Sequence, residues 1–146
     1  MIHLRSFRPS DWQTIVKYQH PDMEQADVLK LIDDFNAPTY KGKFHKFLAI
    51  VHGQNIVGYV SLIETAGRTV SVGAEVYTPF QRQGYAYAGI SQLLTMANAY
   101  DYHTAIGHVR KDNAASLGLC KKLGFTITGE GISKRGHPIY SLARSI

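Results

Sequence analysis

The chain has 146 residues, of which 45% are hydrophobic and 18% charged, so we expect one folded domain over residues 1–146 and exclude a disordered or collagen-like chain. Its net charge of +5 favours an anionic partner, but the basic residues are scattered, which favours a small anion over nucleic acid. Its apolar runs are too short to cross a bilayer, and its N-terminus lacks the apolar stretch of a signal peptide. Because Cys120 is the only cysteine, an internal disulfide and a Cys-rich zinc site are excluded. We therefore expect a cytoplasmic protein without membrane contact.

The first third of the chain predicts one strand and two helices. Apolar and polar residues alternate from Ile2 to Phe7, as in a strand with one buried face. Pro9-Ser10-Asp11 offers a helix cap, and the apolar spacing after it predicts a short helix to about Tyr18. A second helix is predicted from Asp22 to Phe35. The polar stretch from Thr39 to His45 is predicted to be a loop.

The middle of the chain predicts three strands joined by tight turns. Apolar runs from Phe47 to Val51 and from Ile56 to Ile63 flank a turn in which Gly53 is free to adopt a positive φ. After a second turn, Val70 to Tyr77 forms the next predicted strand. Its valines share one face, and Glu75 lies on the other.

The last part of the chain predicts two helices and three strands. A helix with one apolar stripe runs from about Gly84 to Tyr100, and a strand follows from Thr104 to Val109. Asp112 or Asn113 caps a helix that Gly124 ends. The remaining segments form a closing hairpin, with strands Phe125 to Thr128 and Ile139 to Ala143. The order β-α-α-β-β-β-α-β-α-β-β indicates an α+β or mixed α/β domain around one sheet.

The segment between the strand ending at Tyr77 and the helix beginning near Gly84 has the composition of an anion site. The first N–H groups of a helix lack internal partners and favour negative charge. Arg82 adds a positive charge, and Gly84 lets a ligand approach the backbone. A pyrophosphate cradle and an ordinary strand-to-helix turn are both compatible with this segment. The P-loop and dinucleotide-binding sequence patterns are absent.

Three stretches resemble the GNAT family of N-acetyltransferases. Gln81-Arg82-Gln83-Gly84-Tyr85-Ala86 resembles the family's Gln/Arg-x-x-Gly-x-Gly/Ala motif. Asn113 to Ser116, followed by Lys122 to Phe125, resembles its second motif, an Asn-x-x-Ser/Ala helix closed by Gly-Phe. The opening residues, Leu4 to Asp11, are also typical of the family. The resemblance covers the whole chain in the right order.

The resemblance implies a fold and a co-substrate. The expected fold is a mixed, mostly antiparallel sheet of six or seven strands, flanked by about four helices and splayed between the fourth and fifth strands. Acetyl-CoA would enter the splayed region, with its pantetheine arm on the fourth strand, its pyrophosphate on the backbone after Gln81, and Asn113 on the opposite wall. The implied cofactor-binding residues are Ala74, Glu75, Val76, Gln81, Arg82, Gln83, Gly84, Tyr85, Ala86, Tyr87, Asn113 and Ser116.

The implied reaction is direct transfer of the acetyl group to an amine. A primary amine is mostly protonated at neutral pH, so a base or a water chain must remove its proton. His108 on the fifth predicted strand and Glu75 on the fourth are the candidate bases; an imidazole titrates near neutral pH. Cys120 stands where many relatives have a tyrosine that acts as the general acid. Cys120, Tyr140, Tyr77 and water all remain candidates for that role.

Two other functions are compatible with the chain. Because Cys120 replaces the tyrosine of many relatives, the chain could instead be an acetyl-CoA-binding module with little or no catalytic activity. Its net positive charge is also compatible with a nucleic-acid-binding protein. The seven histidines show no metal-ligand spacing, so no metal is expected. The resemblance leaves the amine acceptor and the oligomeric state open, although homodimers are frequent in the family.

Overall fold

A computed structural model describes all residues, Met1 to Ile146. Its strands are β1 (Ile2–Ser6), β2 (Thr39–Tyr40), β3 (Lys43–His52), β4 (Asn55–Ala66), β5 (Thr69–Val76), β6 (Thr104–Arg110), β7 (Thr126–Ile132) and β8 (Pro138–Ser145). Its helices are α1 (Trp12–Tyr18), α2 (Gln25–Asn36), α3 (Tyr85–Ala99) and α4 (Ala114–Lys122). None of them has both the length and the apolar character needed to cross a membrane.

The strands form one sheet in the order β1-β3-β4-β5-β6-β8-β7, with the short β2 paired to the start of β3. Every pair is antiparallel except β5 with β6. The sequence-based prediction of a mixed, mostly antiparallel sheet with four helices is confirmed. The fourth and fifth predicted strands correspond to β5 and β6, because β2 was not predicted.

The sheet opens between β5 and β6. Their parallel pairing runs only from Thr69 to Ser71 and from Thr104 to Ile106. Beyond it, Gly73–Val76 and His108–Arg110 are unpaired with one another, and this region is called the gap. On its other edge β5 pairs with β4 along its whole length, and at the far end Gly58 lies opposite Val76. Because the strands approach closely at this point, a Cβ on Gly58 would lie 2.1 Å from the Glu75 carbonyl oxygen.

Helices cover both faces of the sheet. α3 packs on one face through Leu93, which is fully buried with Val60, Val70 and Ala105. α1 and α2 pack on the other face over β3 and the start of β4, around buried residues such as Ile15. Alternation along a strand therefore assigns each side chain to the α3 face or to the α1/α2 face.

Two segments differ from the sequence-based prediction. Thr39 to His45 is not a loop, because Thr39 and Tyr40 pair with Phe44 and Lys43 in a tight hairpin. Its strands are polar and lie at a sheet edge, so they lack the alternation that identifies a half-buried strand. α2 begins at Gln25 rather than Asp22, because a turn precedes it in which the Met23 N–H donates to the His20 carbonyl.

Candidate active site

The loop between β5 and α3 has an unusual backbone. After a 3-10 turn over Thr78–Phe80, Arg82 has a φ of 65° and Gly84 a φ of 84°. The left-handed conformation suits glycine but is uncommon for other residues, so the backbone of this loop restricts which residues can occupy these two positions. The Gln81 side chain donates to the Val76 carbonyl at 3.0 Å, which ties the loop to the end of β5.

Six consecutive backbone N–H groups of this loop, from Arg82 to Tyr87, donate no hydrogen bond within the chain. The first regular helical bond runs from Ala88 to the Gly84 carbonyl. Arg82 is exposed, and its guanidinium forms no ion pair. Free donors at a helix start, with an unpaired cation beside them, are the arrangement that proteins use to bind phosphate groups.

The edge of β5 that faces the gap also has free donors. The Glu75 carbonyl and the Tyr77 N–H point toward β4, since the carbonyl closely approaches Gly58 and the N–H donates to Val57. Successive residues of a strand point their backbone groups to opposite sides. The N–H groups of Ala74 and Val76 therefore point into the gap, as a strand edge that can pair with an extended ligand.

The two predicted bases, Glu75 and His108, lie on the same face of the sheet. Ala105 of β6 is buried against α3, so His108, an odd number of residues away, faces the α1/α2 side. Val70 and Val72 pack toward α3. Glu75 is an odd number of residues from each of them, so it also faces the α1/α2 side. Both side chains are exposed, on opposite sides of the gap.

Glu75 has a partner that the sequence analysis missed. The hydroxyl of Tyr59 on β4 donates to the Glu75 carboxylate at 2.5 Å. Burial raises the pKa of Tyr59, and the hydrogen bond to Glu75 raises it further, so the phenol keeps its proton. Tyr59 pairs with Glu75 because a bulge between Glu64 and Ala66 shifts the β4–β5 register by one residue from the pairing at the Gly67 turn. The sequence contains no local signal for that bulge, so the contact could not be found from the turn alone.

Cys120 lies on the other face. It is half-buried on α4 and packs against the α3-side core. Burial raises the pKa of its thiol, which therefore stays protonated at neutral pH. The structure does not bring Cys120 to the face that carries Glu75 and His108.

Asn113 and Ser116 are joined at the start of α4. The Asn113 side chain accepts a hydrogen bond from the Ser116 N–H at 3.1 Å and caps the helix. This bond gives Asn113 a structural role. Asn113 lies three residues after Arg110, the last residue of the gap-lining part of β6.

The two tyrosines considered as acids differ in their surroundings. Tyr77 is buried and stacks on Tyr18 with ring centroids 4.7 Å apart. Its burial raises its pKa to about 12. Tyr140 pairs with Val109 of β6 and lies partly buried on the α3 side, with the Lys111 ammonium 4.9 Å from its ring centroid.

No group of three His, Cys, Asp or Glu side chains is arranged to hold a metal ion.

Comparison with known proteins identifies the family. The model of the acetyltransferase (GNAT) domain matches residues 2–126. The chain belongs to the GNAT acetyltransferase family. The predicted family and enzyme class are thereby confirmed. A search of curated protein sequences gives no significant match.

Solved GNAT structures share the fold at low sequence identity. A chimera of the spermidine N-acetyltransferase SpeG from Vibrio cholerae and hSSAT is 19% identical, with a TM-score of 0.80 over 98% of this chain and 95% of that one. A Salmonella typhimurium acetyl transferase that modifies the N-terminal serine of a 50S ribosomal subunit protein is 20% identical, with a TM-score of 0.82 over 99% and 95%. The structure of yncA from Salmonella typhimurium holds acetyl-CoA; it is 18% identical, with a TM-score of 0.74 over 99% and 94%.

Proposed function

We propose that this GNAT acetyltransferase moves an acetyl group from acetyl-CoA directly to a primary amine. The observation that carries the proposal is the run of six unpartnered N–H groups from Arg82 to Tyr87, adjoining a strand edge with free donors. The cofactor's pyrophosphate suits the first feature, and its pantetheine amides suit the second. The acetyl-CoA in the yncA structure supports the choice of co-substrate.

The remaining cofactor contacts are proposed on the same basis. The loop residues Gln83, Tyr85 and Ala86 present backbone N–H groups to the pyrophosphate, and the Gln81 side chain holds this loop on β5. Ala74 and Val76 present backbone to the pantetheine, and Glu75 lies between them with its carbonyl toward β4. Asn113 and Ser116 lie at the start of α4 and contact the cofactor across the gap. The acceptor approaches from the α1/α2 face, because the two candidate bases lie there.

The amine must lose a proton before it attacks the acetyl carbon. At neutral pH only about one primary amine in a thousand is uncharged. His108 or Glu75 removes the proton, directly or through water, and a positioned base contributes about 10²–10⁴-fold to the rate. The tetrahedral oxyanion that forms requires a donor, and the Ala74 and Val76 N–H groups are available in the gap. The C–S bond then breaks, and the departing thiolate takes up a proton.

The cofactor site is tested by thermal unfolding of the parent chain and of Gly84→Asp. A ligand that binds only the folded state stabilises it, by about 2.7 kcal/mol at a hundred times its Kd. We expect saturating acetyl-CoA to raise the Tm of the parent by about 5–10 °C and to leave Gly84→Asp unchanged, since aspartate adds bulk and negative charge at the cradle. Undiminished acetyl-CoA binding by a folded Gly84→Asp chain contradicts the proposed site.

Turnover separates the enzyme from its main alternative. An acetyl-CoA-binding module, suggested by Cys120, would give the same Tm increase but transfer no acetyl group to any amine. A panel of small amines, polyamines, aminoglycosides and peptides, assayed by release of free CoA thiol, distinguishes the two. The cytoplasmic location, the homodimer and the absence of nucleic-acid and membrane partners stay predictions.

A further inference from the structure

An apolar groove lies on the α1/α2 face of the sheet, the same face that carries Glu75. It lies between α2 and strands β3 and β4 and has a volume of about 440 Å³, within the range of small-molecule sites. Its walls include Leu31 and Phe35 of α2, Phe47 of β3, and Ser61 and Ile63 of β4.

Aromatic stacking connects the groove to the candidate base. The Phe47 ring lies 3.9 Å from the Phe35 ring and 4.6 Å from the Tyr59 ring, centroid to centroid, nearly parallel to both. Tyr59 in turn donates to Glu75. The wall of the groove is thus continuous with the group that holds the Glu75 carboxylate.

A glycine leaves the way from the groove to the gap open. Ser61 of the groove pairs with Gly73 of β5, which is the first residue of the gap and shares a face with Glu75. A Cβ on Gly73 would have only the Ser61 hydroxyl oxygen within 4 Å, at 3.3 Å. An acceptor can therefore have its amine at the gap and its body over Ser61.

We propose that this groove binds the apolar body of the acceptor, so that the acceptors of this enzyme are primary amines with an aliphatic or aryl substituent. The inference rests on the proposed acetyl transfer. The Glu75 carboxylate suits the cationic amine end, whereas the lining beyond it is mostly hydrocarbon. Two residues of the lining, Lys46 and Asp34, are charged. The Lys46 ammonium lies 5.9 Å from the centroid of the Tyr100 ring and is directed toward it, so the Asp34 carboxylate is the remaining charge at the rim of the groove.

A homologous series of straight-chain amines tests this inference. Propylamine to hexylamine have nearly the same basicity, so their kcat/KM values differ through burial of the chain. With saturating acetyl-CoA and fixed pH, we expect kcat/KM to rise about fourfold per added methylene until the groove is filled. A series that is turned over but shows no increase overturns the inference and leaves the proposed acetyl transfer intact.

A matched pair of variants tests whether the groove causes the increase in kcat/KM with chain length. Ile63→Asn makes the groove wall polar and is expected to remove most of the increase in kcat/KM across the series. Ile132→Asn makes the same change at a 74% exposed residue of the β7–β8 hairpin and should retain the full series. If circular dichroism shows that Ile63→Asn is unfolded, Leu31→Asn on the opposite wall of the groove takes its place. A full increase in a folded groove variant overturns the inference.

Other acceptors give distinguishable results. If 1,5-diaminopentane exceeds pentylamine by more than about tenfold, and Asp34→Asn removes the difference, the groove recognises a second cation and the inference is wrong. Turnover restricted to polar peptide N-termini also overturns it. If acetyl-CoA raises the Tm but no amine is acetylated, the proposed function itself fails.

Discussion

Gly58 determines how closely β4 and β5 approach at the end of the gap. In Gly58→Ala the new Cβ would lie 2.1 Å from the Glu75 carbonyl oxygen and 2.8 Å from the Val76 Cα, and neither is a flexible side chain. We expect the free energy of unfolding to fall by about 1–3 kcal/mol. The measurement is urea denaturation followed by circular dichroism.

Gly118 provides the matched control. It lies within α4, and a Cβ there would have no atom within 4 Å. Gly118→Ala should therefore gain about 0.5–1 kcal/mol, because alanine loses less conformational entropy in a helix. Equal effects of the two substitutions would contradict the close approach at Gly58.

The side chains of His108 and Cys120 should contribute unequally to turnover. Cys120 lies on the α3 side, away from the face of the bases, and its half-buried thiol, with a raised pKa, is a weak acid toward a leaving thiolate. We expect Cys120→Ala to retain at least about a tenth of the parent kcat and His108→Ala to lose more.

Rates with an amine that is turned over, measured across pH for both variants, check this expectation. Cys120→Ala should keep the shape of the parent pH profile, because the thiol is not the group that accepts the amine proton. Loss of most activity in Cys120→Ala, with His108→Ala near the parent, would assign the acid role to the thiol.

At the scale of elements, an ion pair joins β1 to the turn that begins α1. Arg5 donates two hydrogen bonds to Asp11, at 2.8 and 3.1 Å, and the Arg8 N–H donates a third at 2.7 Å. Burial raises the pKa of the Asp11 carboxyl, but these bonds and the Arg5 charge outweigh it, so the pKa lies below its ordinary value. The pair therefore stabilises the fold above the unfolded pKa of about 4 and loses this effect as the pH falls through the folded value.

Asp11→Asn should reveal this dependence. We expect it to lower the free energy of unfolding by about 1–3 kcal/mol at pH 7, because Arg5 loses its carboxylate partner in a partly buried place. The difference from the parent should shrink below about pH 4, where Asp11 is protonated in the unfolded chain. Urea titrations at pH 7 and pH 3 measure it, and a loss of equal size at both would contradict the ion-pair explanation.

Elements were predictable where one residue determines the local backbone or where apolar spacing is regular. Gly53 and Gly124 adopt the positive φ that their turn positions suggest, and α3 follows its apolar stripe. The strand from Lys43 to His45 was missed because its polar residues lie at an edge, where pairing rather than burial decides the conformation. The Tyr59–Glu75 contact depends on the register between β4 and β5, which the hydrophobic pattern alone does not determine.

At the scale of the whole molecule, the gap divides the sheet into an N-terminal group of strands, β1 to β5, and a C-terminal group, β6 to β8. Through the family resemblance, the motifs predicted both the cofactor loop and the opening between β5 and β6, but the apolar groove could not be inferred from them. The groove depends on contacts between distant residues, such as Phe35 with Phe47.

Amide hydrogen exchange tests whether acetyl-CoA bridges the two groups of strands. We expect binding to slow exchange by about tenfold or more at Ala74 and Val76 on one side of the gap and at the start of α4 on the other. The β7–β8 turn around Gly136 serves as the control and should not change. Protection confined to Arg82–Tyr87 would mean that the cofactor does not span the gap.

The gap between β5 and β6 has a kinetic consequence. Because β5 and β6 are already unpaired beyond Ser71 and Ile106, no β5–β6 hydrogen bonds need to break before the pantetheine arm enters. Association then requires no prior conformational step, so its observed rate should rise linearly with acetyl-CoA concentration instead of reaching a plateau. Speed of encounter, rather than opening of the protein, would limit how fast this enzyme acquires its acetyl donor.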